Sequence, residues 1–263
     1  VSHYVLPDSN IDRDALERGT SVYFTRHVIP MLPERLSNEI CSLVPGEDRY
    51  TFSAMMELSP DGRLLKSEFQ SSIINSKRRF TYEEVQEILD KQKGDFLDEL
   101  RLMRQFVEKL YRNRYEKGSI DLDIPEPQYE LDDDGIPVTI TPKKRLWSHR
   151  IVEECMLMAN RAVAESIVNA KEEFPFVYRI HEEPKEEDAR AFFRLLKSMG
   201  ITLPPEWKNP TPRTFQQVID AITQPELERF IEKVALRSMM KARYSANPTG
   251  HFGLAFEHYT HFT

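Results

Sequence analysis

The chain has few cysteines, few glycines and no long apolar run, and each scarcity closes off a class of protein. Cys41 and Cys155 are the two cysteines among 263 residues; they are isolated, with apolar neighbours. They exclude a disulfide framework and read as buried thiols of a reducing compartment. No apolar stretch approaches the ~20 residues that a membrane-spanning helix needs. The nine glycines form neither a Walker loop nor a dinucleotide-binding fingerprint. Zinc-type spacing and a nucleophile elbow are absent as well. Positive charge is also in short supply, with 36 Lys and Arg against 43 Asp and Glu and a net charge of -7. Phosphate neutralisation needs clustered Lys and Arg, so an acidic chain is a poor general binder of nucleic acid. RNA, if bound, is expected in a narrow lined channel or with help from other, basic domains.

What is present is enough apolar sequence, 40% of residues, for a substantial core in one large domain or two small ones. Residues 11–19 predict a short helix capped by Asp12 and stopped by Gly19. Pro30, Pro33 and Pro45 then punctuate an irregular stretch. Residues 50–58 and 63–74 flank "SPDG", a hairpin turn in which Pro60 presets one torsion and Gly62 tolerates a positive one. Thr81, with Glu84 three residues on, opens a helix through a capping box. Residues 95–117 carry helical apolar periodicity ended by Gly118. Strands are expected at 119–131 and 136–141 around "LDDDG". Residues 146–172 form the strongest helix, a strand follows in "FVYRIHEEP", and helices follow at 185–199, 211–222 and 225–243. There is no internal repeat or low-complexity linker. The layout predicts an α/β (α+β) fold, with a mixed β-sheet surrounded by helices, over residues 1–263 as one domain.

Chemistry read from spacing alone is sparse. Asp132, Asp133 and Asp134 invite a metal reading, but adjacent carboxylates point apart and no calcium-type ligand spacing follows, so a solvated turn is favoured. Asp8, Asp12 and Asp14 are explained by helix capping. His181 precedes Glu182 and Glu183 at a strand end, where a packed histidine is commoner than a catalyst. The two ends are unusual. "VSHYV" alternates like the end of a strand. "GHFGLAFEHYTHFT" gathers His251, His258 and His261 with aromatics and two glycines, which let backbone approach a ligand closely.

"RGTSVYFTRHVIPMLPERLSNEICSL", "HRIVEECMLMAN", "YRIHEEP" and "HFGLAFEHYTHFT" together resemble the catalytic domain of the ribonuclease II/ribonuclease R family, in family order along the whole chain. The resemblance implies a cytoplasmic, processive 3′-to-5′ exoribonuclease that hydrolyses single-stranded RNA to nucleoside 5′-monophosphates. It implies Mg²⁺ as cofactor, bound mainly by an upstream aspartate segment. An arginine motif follows "YTHFT" in the family, so this chain is expected to be a domain truncated at both ends. No catalytic or metal-binding residue is identified within it, and oligonucleotide-binding domains are expected to flank it.

The resemblance also assigns RNA-facing residues. Tyr23 matches a tyrosine that stacks on the terminal base, and stacking tolerates any base. Tyr82 matches a second tyrosine near the RNA 3′ end; an ordinary helix-start aromatic is an equal reading. Glu153 matches a glutamate that contacts a ribose, and a carboxylate accepting from a 2′-hydroxyl selects RNA over DNA. Leu122 stands where relatives often place a phenylalanine; leucine can wedge but has no π face. His251, Phe252, Tyr259, His261 and Thr263 are expected to shape the active-site wall, with a buried strand as the plainer reading of "HFGLAF". Arg26, His27, Lys77, Arg78 and Arg79 are candidate phosphate contacts or plain surface charge. Two other outcomes stand beside the enzyme: a non-catalytic RNA-binding homologue of the same fold, and an inert fragment with an unpaired sheet edge.

Overall fold

The computed structural model describes residues 1–122, 124, 126–170 and 175–261. Thr263 and the last residues of the expected 146–172 helix lie outside them. The chain divides into two compact units. One holds Val1–Met55, Glu68–Thr81 and Gln128–Thr141; the other holds Met56–Ser67, Tyr82–Pro127 and Pro142–Thr263. Helices and strands mix as expected, but among the described residues the strands form four separate two-stranded ladders rather than one sheet.

In the first unit, helix α1 spans Asn10–Arg18 and stops at Gly19, whose φ of 68° is left-handed. Its cap is Ser9, not Asp12: the Ser9 hydroxyl accepts the Asp12 N–H at 3.3 Å. The Asp12 carboxylate instead accepts the Asp8 N–H. The opening residues form a turn, not a strand, because the N–H groups of Tyr4 and Val5 both close onto the Val1 carbonyl. An extended segment needs a neighbour for its polar backbone, and the local turn supplies partners without one. The proline-rich stretch admits only the two-residue strands β1 (Val22–Tyr23) and β2 (Val28–Ile29), and a π-helical turn over Arg35–Ile40.

Strands β3 (Asp48–Leu58) and β4 (Leu64–Asn75) form the hairpin expected at "SPDG", with Gly62 at φ 81°. Strands β5 (Pro127–Leu131) and β6 (Pro137–Pro142) form the second hairpin. At its turn the Asp132 carboxylate accepts the Ile136 N–H at 2.8 Å, so this acidic run serves the turn. Residues 119–122 do not extend into a strand. Gly118, at φ 98°, packs against Arg213, where an added Cβ would sit 2.8 Å from the Arg213 Cβ. The Ile120 N–H then pairs with the Gly253 carbonyl.

The second unit is mainly helical. It contains α2 (Tyr82–Lys91), α3 (Leu97–Glu116), α4 (Trp147–Val168), α5 (Glu186–Ser198), α6 (Pro212–Asp220) and α7 (Pro225–Ser238). The apolar stripes of α3 and α4 bury Val107, Leu110, Ile151 and Leu157. A second core forms where α5, α6 and α7 bring Phe192, Phe193, Leu196, Phe215, Val218 and Ile231 together. Phe192 and Phe215 stack at 5.3 Å. Each such fully buried aromatic contributes about 2–3 kcal/mol. Helix α7 ends at Ser238, short of the expected 243. Residues Arg243–Ser245 instead become strand β8 and pair antiparallel with β7 (Tyr178–Ile180). Both cysteines are free and half-buried; burial pushes the Cys155 thiol pKa up.

Residues 251–261 do not form a strand. Phe252–Leu254 is one 3-10 turn, and His251 caps it by accepting the Leu254 N–H at 3.2 Å. His181 accepts the Gly253 N–H at 3.1 Å. Gly253 leaves room for that imidazole: an added Cβ would meet His181 Nδ1 at 3.0 Å.

Candidate nucleic-acid interface

The polar centre of the second unit is built around the N-terminus of α4. Leu146 precedes the helix and has no hydroxyl or carboxylate to cap it. His149 does that work, its Nδ1 accepting the Leu146 N–H at 3.2 Å. An accepting Nδ1 carries no proton, so the ring is the neutral Nε2–H form. Burial, helped by the nearby Lys143 and Arg145 charges, lowers its pKa. The ring of Tyr82, the first residue of α2, lies on His149 at 4.1 Å and 19°. The Ser148 N–H donates to Gln86, joining the two helix starts a second time. Even so, Tyr82 is 43% exposed.

Beside this stack is a cleft of about 260 Å³ lined by Leu122, Ile124, Glu126, Lys143, Lys144, Arg145 and His149. The Lys143 N–H donates to the Glu126 carbonyl at 2.8 Å and closes one end. Lys143, Lys144 and Arg145 stand just before a helix N-terminus, where the helix dipole disfavours cations. The positions of Lys143 and Lys144 are therefore explained better by an external anion than by α4, whereas Arg145 is held by carboxylates of the protein itself. That conflict is the sequence signal that points to this cluster, together with the histidine of "HRIVEECM".

Behind the cleft runs a paired charge network. Arg145 Nη2 lies 2.9 and 2.8 Å from the two oxygens of Glu153. Its Nη1 donates to Asp121 at 2.6 Å. Asp121 also accepts from Arg150 at 3.1 Å and from the Tyr111 hydroxyl at 2.9 Å. Burial works against the Asp121 charge, but the Arg145 hydrogen bond and the two guanidinium charges outweigh it and hold its pKa below the ordinary value. Deeper in, Arg114 pairs with the buried Glu154 at 3.1 Å and donates to Ser119. Arg114 also lies 3.8 Å from Glu153.

Of the seven residues assigned to RNA, Tyr82, Leu122 and Glu153 gather on this face. Tyr23 belongs to the other unit, on the β1–β2 hairpin, with the residue 77% exposed. The structure places Phe252 and Tyr259 in the interior. Phe252 packs edge-on against Phe215 in the helical core. Tyr259 is 4% exposed, and its hydroxyl accepts from Asn160 at 3.2 Å. His251 is spent on the turn it caps. Among the phosphate candidates, Arg26 is committed to the Asp132 and Asp133 carbonyls. His27 stacks on Phe24, Lys77 donates to Asn75, and Arg78 lies over Phe80.

Among the described residues, no three His, Cys, Asp or Glu side chains converge to hold a metal ion. Asp121, Glu153 and Glu154 are each paired with arginine, so they do not fit a metal centre. Among the described residues, no helix is long and apolar enough to cross a membrane.

The chain matches the RNB domain over residues 1–263. It belongs to the RNB family. Similar curated proteins include ribonuclease R of Thermotoga maritima, 42% identical with all of this chain and 38% of that protein aligned. Ribonuclease R of Escherichia coli is 36% identical, with 100% and 33% aligned. This RNB chain thus spans about a third of the length of the relatives it matches. A solved structure of Mycoplasma genitalium RNase R in complex with ribose-methylated single-stranded RNA superposes with a TM-score of 0.92 at 28% identity. It covers 100% of this chain and 42% of that one. Yeast Ssd1, described as a pseudonuclease, shares the fold with a TM-score of 0.78 at 21% identity.

Proposed function

We propose that this RNB chain is the RNA-lining part of a 3′-to-5′ exoribonuclease that degrades single-stranded RNA processively to nucleoside 5′-monophosphates. The observation that carries the reading is the Tyr82–His149 stack beside the Lys143–Arg145 cleft, with Glu153 behind it. Each part answers one property of a single strand. The exposed ring of Tyr82 receives a base without regard to its identity, a contact worth ~1–3 kcal/mol. Lys143 and Lys144 receive backbone phosphate. The carboxylate of Glu153 receives a hydroxyl donor, and the 2′-hydroxyl is the sugar's mark of RNA. Leu122 supplies an apolar edge against a base. Tyr23, exposed in the first unit, is a separate candidate for base stacking. The wider relatives support the reading: proteins named ribonuclease R align along the whole chain, and M. genitalium RNase R has been solved with single-stranded and double-stranded RNA.

RNB nucleases are generally metal-dependent. The role proposed for this chain is to bind, orient and feed the strand. Mg²⁺ as the metal, flanking oligonucleotide-binding domains and a cytoplasmic location complete the proposal. The test is a protein of the relatives' full length carrying this domain, incubated with 5′-labelled single-stranded RNA and Mg²⁺. A ladder shortening from the 3′ end is expected. RNA that is bound but left intact would make the protein a non-catalytic homologue, and RNA that is not bound would overturn the interface.

A further inference from the structure

Arg145 touches two separate parts of the proposed interface. Its guanidinium spans Glu153 on α4 and Asp121 in the segment after α3. Asp121 is the immediate neighbour of Leu122, which lines the cleft. Arg150 and Tyr111 hold the same aspartate from α4 and α3, so Asp121 cannot swing away. A planar fork with donors in fixed directions bridges two carboxylates rigidly in this way, whereas a lysine ammonium is a point charge on a flexible stem and holds them with far less directional constraint.

The pairing leaves Glu153 usable. Both of its oxygens face a single nitrogen of Arg145, and its side chain is 32% exposed. A carboxylate has about four acceptor positions, so room remains for one more donor from solvent or ligand. A carboxylate on a surface otherwise set up for a polyanion repels phosphate unless it meets a donor, and along the sugar-phosphate chain that donor is the ribose 2′-hydroxyl. Arg145 cancels the repulsion while keeping the acceptor in place.

We propose that Arg145 is a positioning residue for sugar recognition. By gripping Glu153 and Asp121 together, it fixes the ribose acceptor and the Leu122 wedge as one rigid unit, and it thereby sets the preference for ribose over deoxyribose. The proposal rests on the RNA-lining reading above and assigns the source of selectivity within it.

The experiment compares kcat/KM for single-stranded RNA and for the same sequence with deoxyribose through its 3′ segment. It uses the full-length protein and the variants Arg145→Lys, Glu153→Gln and the double variant. Wild type favours RNA. Arg145→Lys, which keeps the charge and loses the fork, lowers the RNA-to-deoxy ratio about tenfold, the scale of one hydrogen bond to a charged group. Glu153→Gln lowers it similarly, and the double variant goes no further, because the two act on one contact. Should Arg145→Lys fail to fold, Asp121→Asn loosens the same grip and lowers the ratio in the same direction. A variant that slows both substrates by one common factor would show a purely structural Arg145 and overturn the proposal. So would a wild type that degrades both substrates equally, with the RNA-lining reading left standing. A wild type that neither binds nor degrades RNA overturns that reading as well.

Discussion

Acid should loosen the turn at Gly250–Phe256 before it unfolds the rest, and the cause is a pair of neutral histidines. His181 and His251 stand 5.1 Å apart, and each accepts a backbone N–H at Nδ1, from Gly253 and Leu254 respectively. Protonating either ring replaces the acceptor with a donor facing a donor. Burial first, and the neighbouring His181 second, bring the His251 pKa from 6.5 down to about 3. Burial lowers His181 in the same direction. Because the folded pKa lies below the unfolded one, the unfolded chain binds more protons between these values. The stability is complete above pH 6.5 and is lost progressively as pH falls toward 3. At ~1.4 kcal/mol per pH unit, His251 alone withdraws about 2.5 kcal/mol by pH 4.5 and about 4 kcal/mol at pH 3. The assay is urea unfolding across pH 7.5 to 4.5 for the wild type and His251→Asn, whose amide oxygen still accepts the Leu254 N–H without titrating. The variant should lose about 2.5 kcal/mol less than wild type over that range. Parallel pH curves would refute the reasoning, because carboxylate titration is common to both proteins and cancels.

Three further outcomes follow from the packing and the charge network. Gly118→Ala places a Cβ 2.8 Å from the Arg213 Cβ at a φ of 98° and should cost about 2–4 kcal/mol by denaturant titration. Gly200→Ala, with nothing within 4 Å, should cost only about 1 kcal/mol. Arg114→Ala strands the buried Glu154 carboxylate and should destabilise by about 3–5 kcal/mol, whereas Arg114→Met with Glu154→Leu recovers most of the loss in melting temperature. Replacing Lys143 and Lys144 with Gln should weaken single-stranded RNA binding and flatten the slope of log K against log salt by about 0.7 for each lysine.

The elements legible in the sequence are those whose signal is local. Helices α3 and α4 carry their periodicity for five or more turns, and the β3–β4 turn needs only Pro60 and Gly62. The errors lie where distant partners decide. Nothing in "LRSMMKARYS" stops a helix, yet β7 claims Arg243–Ser245 as its partner strand. The alternation of "VSHYV" promises a strand, but alternation alone supplies no neighbour to pair with. The "HFGLAF" segment looked like a strand because its apolar content is real; His181, from another stretch, folds it into a turn. In the interface, Tyr82, Leu122 and Glu153 are legible only through family resemblance, since no spacing links them. Arg145 escapes both routes: it is one cation in a basic run, and only the folded chain brings Asp121 and Glu153 to its two sides.

The central claim is that single-stranded RNA runs over the face made by Tyr82, His149 and the Lys143–Arg145 cleft. The most direct measurement is photocrosslinking of single-stranded RNA carrying 4-thiouridine near its 3′ end to the full-length protein, with the modified peptides mapped by mass spectrometry. Crosslinks at Tyr82 or within residues 143–149 are predicted. Crosslinks confined to other surfaces, such as the exposed Tyr50 and Phe52 of β3, would contradict it.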